Sequence, residues 1–185
     1  MNYKLILKEV VDFIKTMFFF LIIIVLLRMF VFANFEVSGE SMANNFHDGE
    51  KLIVSKLDYK FKQPKRFDVI IFKENEQQDF IKRVIGLPGE KVEYKNNLLY
   101  INGQPIEETY LDHTTYDFKL GDILPYDKVP PNHVFVLGDN RTNSLDSRTK
   151  EVGFVSYDQI IGKVKMRYWP FSRFDFGVSG NQLLN

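Results

Sequence analysis

A serine that follows a long apolar run is the first residue of this chain whose type and position suggest chemistry. It is Ser41, in the stretch from Val37 to Met42 that reads Val-Ser-Gly-Glu-Ser-Met. Gly39 permits a tight turn, and its missing side chain leaves room for a second chain close to the peptide NH groups around Ser41. A serine hydroxyl is too weakly acidic to attack an amide unaided, so a nucleophilic Ser41 requires a base within hydrogen-bonding reach.

The apolar stretch from Phe80 to Leu87 contains a candidate base, Lys82. Strand alternation places Lys82 on the same face as Phe80 and Val84, which predicts a lysine pointing into apolar surroundings. Such burial lowers the pKa of a lysine, as it must before the amine can accept a proton near neutral pH. The alternative is that Lys82 is an ordinary solvated lysine. Arg83, on the opposite face, could equally be the residue that points into apolar surroundings.

A polar loop, residues 138–148, directly follows a stretch that reads as a buried strand. It contains two Asp-x-Arg pairs, Asp139 with Arg141 and Asp146 with Arg148, among many side chains that form hydrogen bonds. One interpretation is a turn-rich connection tied by surface ion pairs of little energetic weight. The other is a rigid loop that positions a hydroxyl beside an active site.

Composition limits the number of domains and the kinds of partner and metal site that the chain can have. The chain has 185 residues, of which 45% are hydrophobic, and this is enough for one domain with one good core. Its formal net charge is zero, with both signs interleaved, which argues against a nucleic-acid partner. It contains no cysteine, and His47, His113 and His133 lack ligand spacing, so neither a disulfide nor a metal site is predicted.

The N-terminus has the strongest signal of the whole chain. The unbroken apolar run follows Thr16 and extends to Leu27. Counted from Phe13 to Phe35, the whole segment exceeds the roughly 20 residues needed to cross a bilayer, although Arg28 interrupts it near the distal end. Lys4, Lys8 and Lys15 precede the run, so the positive-inside rule predicts a cytoplasmic N-terminus, residues 1–12, and an extracytoplasmic domain, residues 36–185.

A cleavable secretory signal is an equally weighted alternative. Val31-Phe32-Ala33 resembles a small-residue cleavage site after an apolar core. A core helix of a soluble protein is the poorest interpretation, since so apolar a run requires burial on every side.

Beyond this run the pattern predicts strand after strand and no long amphipathic helix. The predicted strands are short, rich in β-branched and aromatic residues, and bounded by turn residues: 51–54, 67–72, 80–87, 92–94, 98–101, 134–137 and 159–169. The proline-containing interval of about 90–132 is expected to form a non-catalytic excursion or small β subdomain.

Three ordered motifs resemble those of the type I signal peptidases. They are Ser-Gly-Glu-Ser-Met after the apolar run, Lys-Arg-Val-Ile-Gly-Leu-Pro-Gly-Glu, and Gly-Asp-Asn-Arg-x-Asn-Ser-x-Asp-Ser-Arg, with Phe67 to Phe72 as a fourth. The form is similar to the short bacterial one with a single N-terminal anchor, typical of Gram-positive organisms. The resemblance implies one transmembrane helix followed by an antiparallel β-sheet or barrel-like catalytic core with a small β subdomain inserted.

The same resemblance implies a Ser-Lys dyad that uses no histidine, metal or cofactor. Ser41 matches the nucleophile, Lys82 the general base, and Ser144 the hydroxyl that orients the lysine. The backbone NH of Ser41 would hold the oxyanion. Some members add a serine two residues before the nucleophile; Gly39 stands there, so that second donor is expected to be absent or replaced.

Other positions match supporting and pocket residues of the family. Structural support of the polar loop is implied for Asp139, Arg141, Asp146 and Arg148. Pocket positions are matched by Phe35, Val37 and Ile81, for which ordinary core packing is the alternative.

The chain departs from the family pattern in two places. Met42 is followed by Ala43-Asn44-Asn45-Phe46, where the family usually continues x-Pro-Thr-Leu, so a fixed φ beyond the serine is lost. Phe67 stands where the family commonly has glycine before Asp68.

The implied reaction is hydrolysis of one peptide bond in exported precursors, after small residues of an Ala-x-Ala type site. The partners expected are therefore signal peptides and the lipid bilayer.

With Lys82 as base, activity should rise toward alkaline pH with an apparent pKa well below that of free lysine, about 10.4. Aromatic residues at 168–176 are expected either at the membrane interface or against the core.

Two rival functions come from other classes. The altered stretch after Met42 allows a non-catalytic, membrane-tethered homologue that binds or regulates. The stretch from Gly39 to Ala43 differs by one residue from the Gly-x-Ser-x-Gly elbow of Ser-His-Asp hydrolases. That elbow requires a following helix and a doubly wound sheet, whereas this chain is predicted to form strands. Loss of activity on substituting His113 or His133 would favour that triad.

Overall fold

The protein consists of one long N-terminal helix followed by two antiparallel sheets. The computed structural model describes residues 3–43, 45–111 and 114–177. Asn44 and His113, both named above, lie outside the described residues.

Helix α1 (Tyr3–Phe30) contains the apolar run. Its candidate membrane span, Ile6–Arg28, is 23 residues long, and none of its most apolar part is buried in the protein. The interpretation as a core helix is therefore wrong. The span also lies closer to the N-terminus than the predicted interval 13–35, because Phe32–Glu36 form a strand.

The strands and the two short α-helices follow in chain order. The strands are β1 (Phe32–Glu36), β2 (Lys51–Ser55), β3 (Val69–Lys73), β4 (Asp79–Gly86), β5 (Val92–Lys95), β6 (Leu98–Ile101), β7 (Gln104–Ile106), β8 (Phe118–Lys119), β9 (His133–Leu137), β10 (Val155–Ser156), β11 (Ile160–Trp169) and β12 (Asp175–Phe176). The helices are α2 (Asp58–Phe61) and α3 (Leu120–Ile123), and short 3-10 turns occupy Tyr157–Gln159 and Phe171–Arg173.

The larger sheet has eight strands in the order β1-β2-β11-β3-β4-β9-β10, with β12 also paired to β11. Within the described residues β1 and β10 are edge strands that do not pair with each other, so the sheet is open. The mainly β antiparallel prediction is confirmed, but the barrel-like form is wrong for this part of the chain.

The smaller sheet has the order β7-β6-β5-β8 and falls inside the interval 90–132 that was expected to be a β excursion. Its two tight turns use asparagine and glycine at positive φ: 51° at Asn96, 63° at Asn97, 53° at Asn102 and 82° at Gly103. Such turns match the twist of a hairpin. The two turns join β5 to β6 and β6 to β7 as antiparallel hairpins.

Strand β1 connects α1 to the larger sheet. Ala33 pairs with Val54, and Phe35 pairs with Leu52. A cut after Ala33 would divide a paired strand of the sheet, which argues against the cleavable-signal interpretation.

The two departures from the family pattern fit the fold in different ways. Phe46 is fully buried in the same core cluster as Val37 and Met42, so the larger ring fills core volume. Phe67 has a φ of 68°, a conformation that costs a side-chain-bearing residue about 1–2 kcal/mol and that glycine adopts without strain. Its ring packs edge to face on Tyr110, with centroids 5.3 Å apart, and this contact offsets the cost.

Four aromatic side chains at the end of β11 and just beyond it are half to three-quarters exposed. The exposed fractions are 46% for Trp169, 75% for Phe171, 47% for Phe174 and 73% for Phe176. Phe171 and Phe176 therefore do not pack in the core, and a place at the membrane interface stays a prediction for the group.

Gly162 gives a test of the strand packing behind the site. A Cβ at this position of β11 would lie 2.3 Å from the backbone oxygen of Ser55 in β2. We expect Gly162→Ala to lower the free energy of unfolding by about 1–3 kcal/mol, because the oxygen cannot move without disturbing the pairing of the two strands. Gly121→Ala is the control, since its Cβ would meet nothing closer than 3.6 Å. Unfolding followed by circular dichroism should separate the two variants, and equal stabilities would contradict this packing.

Candidate active site

Ser41 and Lys82, from distant parts of the chain, are in direct contact. Lys82 Nζ donates a hydrogen bond to Ser41 Oγ at 2.8 Å and another to the Ile81 carbonyl oxygen at 3.0 Å. Strand β4 positions the lysine, and the turn after β1 positions the serine. An amine at this distance from a hydroxyl has the geometry required to remove its proton.

Lys82 is buried, so the interpretation as a solvated lysine is wrong. The residue is only 3% exposed, and its Nζ lies 4.8 Å from the centroid of the Phe80 ring. Burial lowers the pKa of Lys82 to about 8, while the carboxylates of Asp146 and Asp139 oppose the shift. The amine is therefore neutral far more often than an exposed lysine at the same pH.

The turn that carries Ser41 is held by short-range hydrogen bonds. Gly39 has a φ of 87°, and its NH donates to Asp48 Oδ1 at 2.8 Å. The NH of Ala43 donates to the Glu40 carbonyl at 2.9 Å, and the NH of Phe46 donates to the Met42 carbonyl at 2.8 Å. These bonds fix the backbone beyond the serine, where the family usually has a proline.

The backbone NH of Ser41 donates a hydrogen bond to no described residue, whereas the Ser41 carbonyl accepts one from the NH of Asn140 at 3.0 Å. The NH of Gly39 is already bound to Asp48. Of these two amides, Ser41 is thus the one whose NH can bind an oxyanion.

A cleft of about 180 Å³ surrounds the pair. Phe35, Val37 and Ile81 all line it together with Ser41 and Lys82. Sequence reasoning missed several further lining residues, which come from separate segments: Leu52, Ile71, Asp79, Phe80 and Leu145. A larger cavity of about 760 Å³ lies at the end of α1 and contains neither member of the pair, so we place the chemistry in the smaller cleft.

Gly138 permits the polar loop to approach the Ser41 turn. A Cβ at position 138 would lie 2.2 Å from Ser144 Oγ and 2.4 Å from the Ser41 carbonyl oxygen. The Ser144 hydroxyl oxygen is buried and has no hydrogen-bond partner among the described residues. The expected hydrogen bond from Lys82 to Ser144 is thus not formed, and the orienting role of Ser144 stays a prediction.

The histidines do not contribute to the described site. His47 is exposed, and His133 Nδ1 lies 2.7 Å from the Pro131 carbonyl oxygen. Neither residue lines the cleft, and the group beside Ser41 is an amine.

A family model described as signal peptidase, peptidase S26, matches residues 10–169. The chain belongs to the signal peptidase family. The resemblance inferred from the three motifs is therefore confirmed.

Signal peptidases of Gram-positive bacteria are among the relatives. Signal peptidase I of Bacillus caldolyticus is 46% identical over 163 residues, which cover 83% of this chain and 88% of that protein. Signal peptidase IB of Staphylococcus aureus is 36% identical over 191 residues, with coverages of 96% and 99%. The crystal structure of a signal peptidase I from Enterococcus faecalis is 42% identical, has a TM-score of 0.50, and covers 55% of this chain and 97% of that one.

In this signal peptidase chain, Asp139 is paired with Arg83 and not with its sequence neighbour Arg141. Arg83 Nε and Nη2 donate to the two carboxylate oxygens at 2.8 and 2.6 Å, and both side chains are almost wholly buried. Asn45 Nδ2 also donates to Asp139, at 2.9 Å. The predicted Asp139–Arg141 pair is therefore wrong, because the fold directs the two side chains to different partners.

Arg141 instead joins the polar loop to the smaller sheet. Its Nη2 donates to Glu108 Oε1 at 2.7 Å, its Nη1 to the Tyr94 hydroxyl at 2.7 Å, and its Nε to the Gly138 carbonyl at 3.0 Å. Glu108 is a partner that sequence reasoning missed, since nothing in the local pattern around it indicates a buried carboxylate.

The Asp146–Arg148 pair is confirmed, although it is not a surface pair. Arg148 Nε and Nη2 donate to the carboxylate at 2.8 and 2.9 Å, and Asp146 is fully buried. Its Oδ2 also accepts a hydrogen bond from the Gly138 NH at 3.0 Å. Asp146 therefore fixes the start of the loop that faces Ser41.

Breaking the buried Arg83–Asp139 ion pair should have a large effect on the stability of the fold. Asp139→Asn should lower the free energy of unfolding by about 3–5 kcal/mol, because it leaves a buried guanidinium without a counter-charge. Asp127→Asn is the matched control: it removes an ion pair to Lys91 whose side chains are 57% and 69% exposed, and should change stability by less than about 1 kcal/mol. Denaturant titration followed by the emission of Trp169, the one tryptophan, measures both variants. Equal effects would contradict the importance of the buried pair.

Proposed function

We propose that this chain is a membrane-anchored serine endopeptidase that removes N-terminal signal peptides from exported precursor proteins by a Ser-Lys dyad mechanism. The observation that carries the proposal is the 2.8 Å hydrogen bond between the buried amine of Lys82 and the hydroxyl of Ser41. Membership of the signal peptidase family supports the peptidase activity and the substrate class.

In the acylation step, neutral Lys82 accepts the Ser41 proton as Oγ attacks the carbonyl carbon of the scissile bond. The backbone NH of Ser41 donates a hydrogen bond to the oxygen that becomes negative. Collapse of the tetrahedral intermediate breaks the C–N bond, and the Lys82 ammonium returns its proton to the leaving amine. The product of this step is an ester between Ser41 and the signal peptide.

In the deacylation step, Lys82 accepts a proton from water as the water oxygen attacks the ester carbonyl. Breakage of the C–O bond releases the signal peptide as a carboxylic acid, and the proton returns to Ser41 Oγ. Acylation and deacylation each begin with the neutral amine as the base. Cleavage should therefore increase as the pH rises through the lowered pKa of Lys82, about 8.

Ser144 would support the amine during these steps. Its hydroxyl oxygen is buried and has no partner among the described residues, beside the position where Gly138 approaches the Ser41 carbonyl. Once Ser41 Oγ is bonded to substrate, Lys82 loses an acceptor, and Ser144 is a second hydroxyl from the neighbouring loop that can accept that hydrogen bond.

The cleft accounts for a preference for small residues before the cut. Its volume of about 180 Å³ and its apolar residues Phe35, Val37 and Ile81 suit methyl-sized side chains in shallow subsites. We infer that cleavage follows an Ala-x-Ala type site, with small residues at the first and third positions before the scissile bond.

The anchor would hold the catalytic domain on the outer face of the plasma membrane. The family match begins at residue 10, inside α1, which favours a permanent anchor over a cleaved signal. Lys4, Lys8 and Lys15 favour a cytoplasmic N-terminus and an extracellular domain. Tethering confines enzyme and precursor to one surface and raises their effective concentration.

The decisive experiment is cleavage of a purified precursor with an Ala-x-Ala site, in detergent, by the full chain. Ser41→Ala and Lys82→Ala should each lower kcat by about 10³-fold or more, because each removes one member of the dyad. Lys91→Ala is the control for loss of a lysine elsewhere, since that side chain is 57% exposed, and it should cleave as the wild type does.

Two outcomes would contradict the proposal. Full activity of Lys82→Ala, or its loss in His133→Ala, would remove the lysine from the role of base. A folded wild type that binds the precursor but does not cleave it would instead identify a non-catalytic, membrane-tethered homologue.

A further inference from the structure

The segment between β2 and β3 is strongly basic although the whole chain has no net charge. Residues 56–66, here called the basic loop, contain four lysines and one arginine but only one aspartate. Asp58 is paired with Lys165 of β11 at 2.8 Å, and Arg66 with Glu90 at 2.5 Å. The side chains of Lys60, Lys62 and Lys65 form no ion pair with any described residue, so the loop has a net positive charge.

A phenylalanine is exposed in the middle of these cations. Phe61 is 81% exposed, and its neighbours Lys60 and Lys62 are exposed too. An aromatic ring between two lysines is a combination that suits the boundary between a phospholipid headgroup and its acyl chain.

Hydrogen bonds fix the backbone on both sides of the exposed Phe61. The Tyr59 hydroxyl donates to Asp68 Oδ2 at 2.8 Å, and the NH of Lys65 donates to the same oxygen at 3.0 Å. The NH of Lys62 donates to the Asp58 carbonyl at 3.1 Å. Because Asp68 is itself buried, the loop is held to the core on both sides of the exposed ring.

The basic loop begins beside the end of the candidate membrane span of α1. The candidate span ends at Arg28, and the Val31 carbonyl accepts a hydrogen bond from the NH of Lys56 at 2.9 Å. Three residues of helix advance only about 4.5 Å along its axis, at about 1.5 Å each. The headgroup layer on each side of the hydrocarbon is about 5–8 Å thick. The first residue of the loop therefore lies at headgroup level.

The cavity of about 760 Å³ connects the helix end to this loop. It is lined by Arg28, Lys56 and Lys165 together with apolar side chains, among them Phe32 and Met166. A cavity with both cationic and apolar walls at the membrane surface fits the same amphipathic ligand.

We propose that the basic loop is a second membrane contact of the catalytic domain, in which Phe61 enters the interface and Lys60, Lys62 and Lys65 bind the phosphates of anionic phospholipids. This contact depends on α1 crossing the bilayer as proposed above, but not on the dyad chemistry. A lysine near an anionic surface strengthens binding about fivefold, so three lysines account for about 10²-fold.

A second contact would fix the height of the cleft above the membrane. Phe32 pairs with Ser55 at the loop end of β1, whereas Glu36 pairs with Lys51 at the end nearer Ser41. These two ends of the strand are about 13 Å apart, at about 3.3 Å per residue. A domain held only by α1 can tilt, whereas a domain held at two points presents its cleft at one distance from the surface.

The absence of cysteine allows a direct test by site-specific labelling of the full chain. A fluorophore on Phe61→Cys is compared with one on Tyr116→Cys, which replaces a side chain 72% exposed outside the loop. Both proteins are reconstituted in phosphatidylcholine vesicles, with or without phosphatidylglycerol, that contain lipids brominated on the acyl chain. The label at position 61 should be quenched at least about threefold more than the label at 116 when the anionic lipid is present.

The charge dependence is tested in the variant Lys60→Gln, Lys62→Gln, Lys65→Gln that also carries the label at 61. Its quenching should fall to the level seen in phosphatidylcholine alone, and high salt should have the same effect on the parent protein. Two results would overturn the proposal: no quenching at 61 beyond that at 116, or equal quenching with neutral lipid and in the glutamine variant. Precursor cleavage in detergent, measured on the same proteins, tests the proposed function separately.

Discussion

Removal of the Lys82 amine from water is the constraint on which the active site depends. Burial lowers its pKa to about 8, yet two carboxylates nearby, Asp146 and Asp139, act in the opposite direction. Each carboxylate accepts two hydrogen bonds from an arginine, Arg148 and Arg83 respectively. These arginines offset the negative charge that would otherwise keep Lys82 protonated. The ion pairs of the polar loop therefore affect the electrostatics of the proposed base as well as the stability of the fold.

The polar loop also links the two sheets, in addition to the buried apolar cluster that they share. Arg141 binds Glu108 of the excursion and the carbonyl of Gly138, and Gly138 packs directly against the Ser41 turn and Ser144. A buried arginine that loses such partners is strongly destabilising. The smaller sheet, predicted to be non-catalytic, thus contributes one of the contacts that hold the loop beside Ser41.

Sequence patterns predicted the parts of this structure that depend on local rules. Alternation in β4 predicted a buried Lys82, whereas its pairing with Ser41 came from the resemblance to the family and not from a local rule. The Arg83–Asp139 pair was beyond local rules, because the two residues are 56 residues apart and the spacing Asp-x-Arg favoured Arg141 as the partner. The same spacing correctly predicted the Asp146–Arg148 pair. Two-residue strands such as β8, β10 and β12 have no periodicity to detect. The predicted span was extended beyond Phe30, where α1 ends, because Val31-Phe32-Ala33 continue the apolar run although strand β1 begins at Phe32.

The most direct test of the account is the protonation of Lys82 itself. NMR of the full chain in detergent micelles, with isotopically labelled lysine and Lys82→Arg to assign the resonance, follows the amine as pH changes. If Lys82 is the base, its titration in the wild type should have a midpoint near a pKa of about 8. A midpoint near that of free lysine, about 10.4, would show that the buried amine remains an ammonium at physiological pH and would contradict its role as the base.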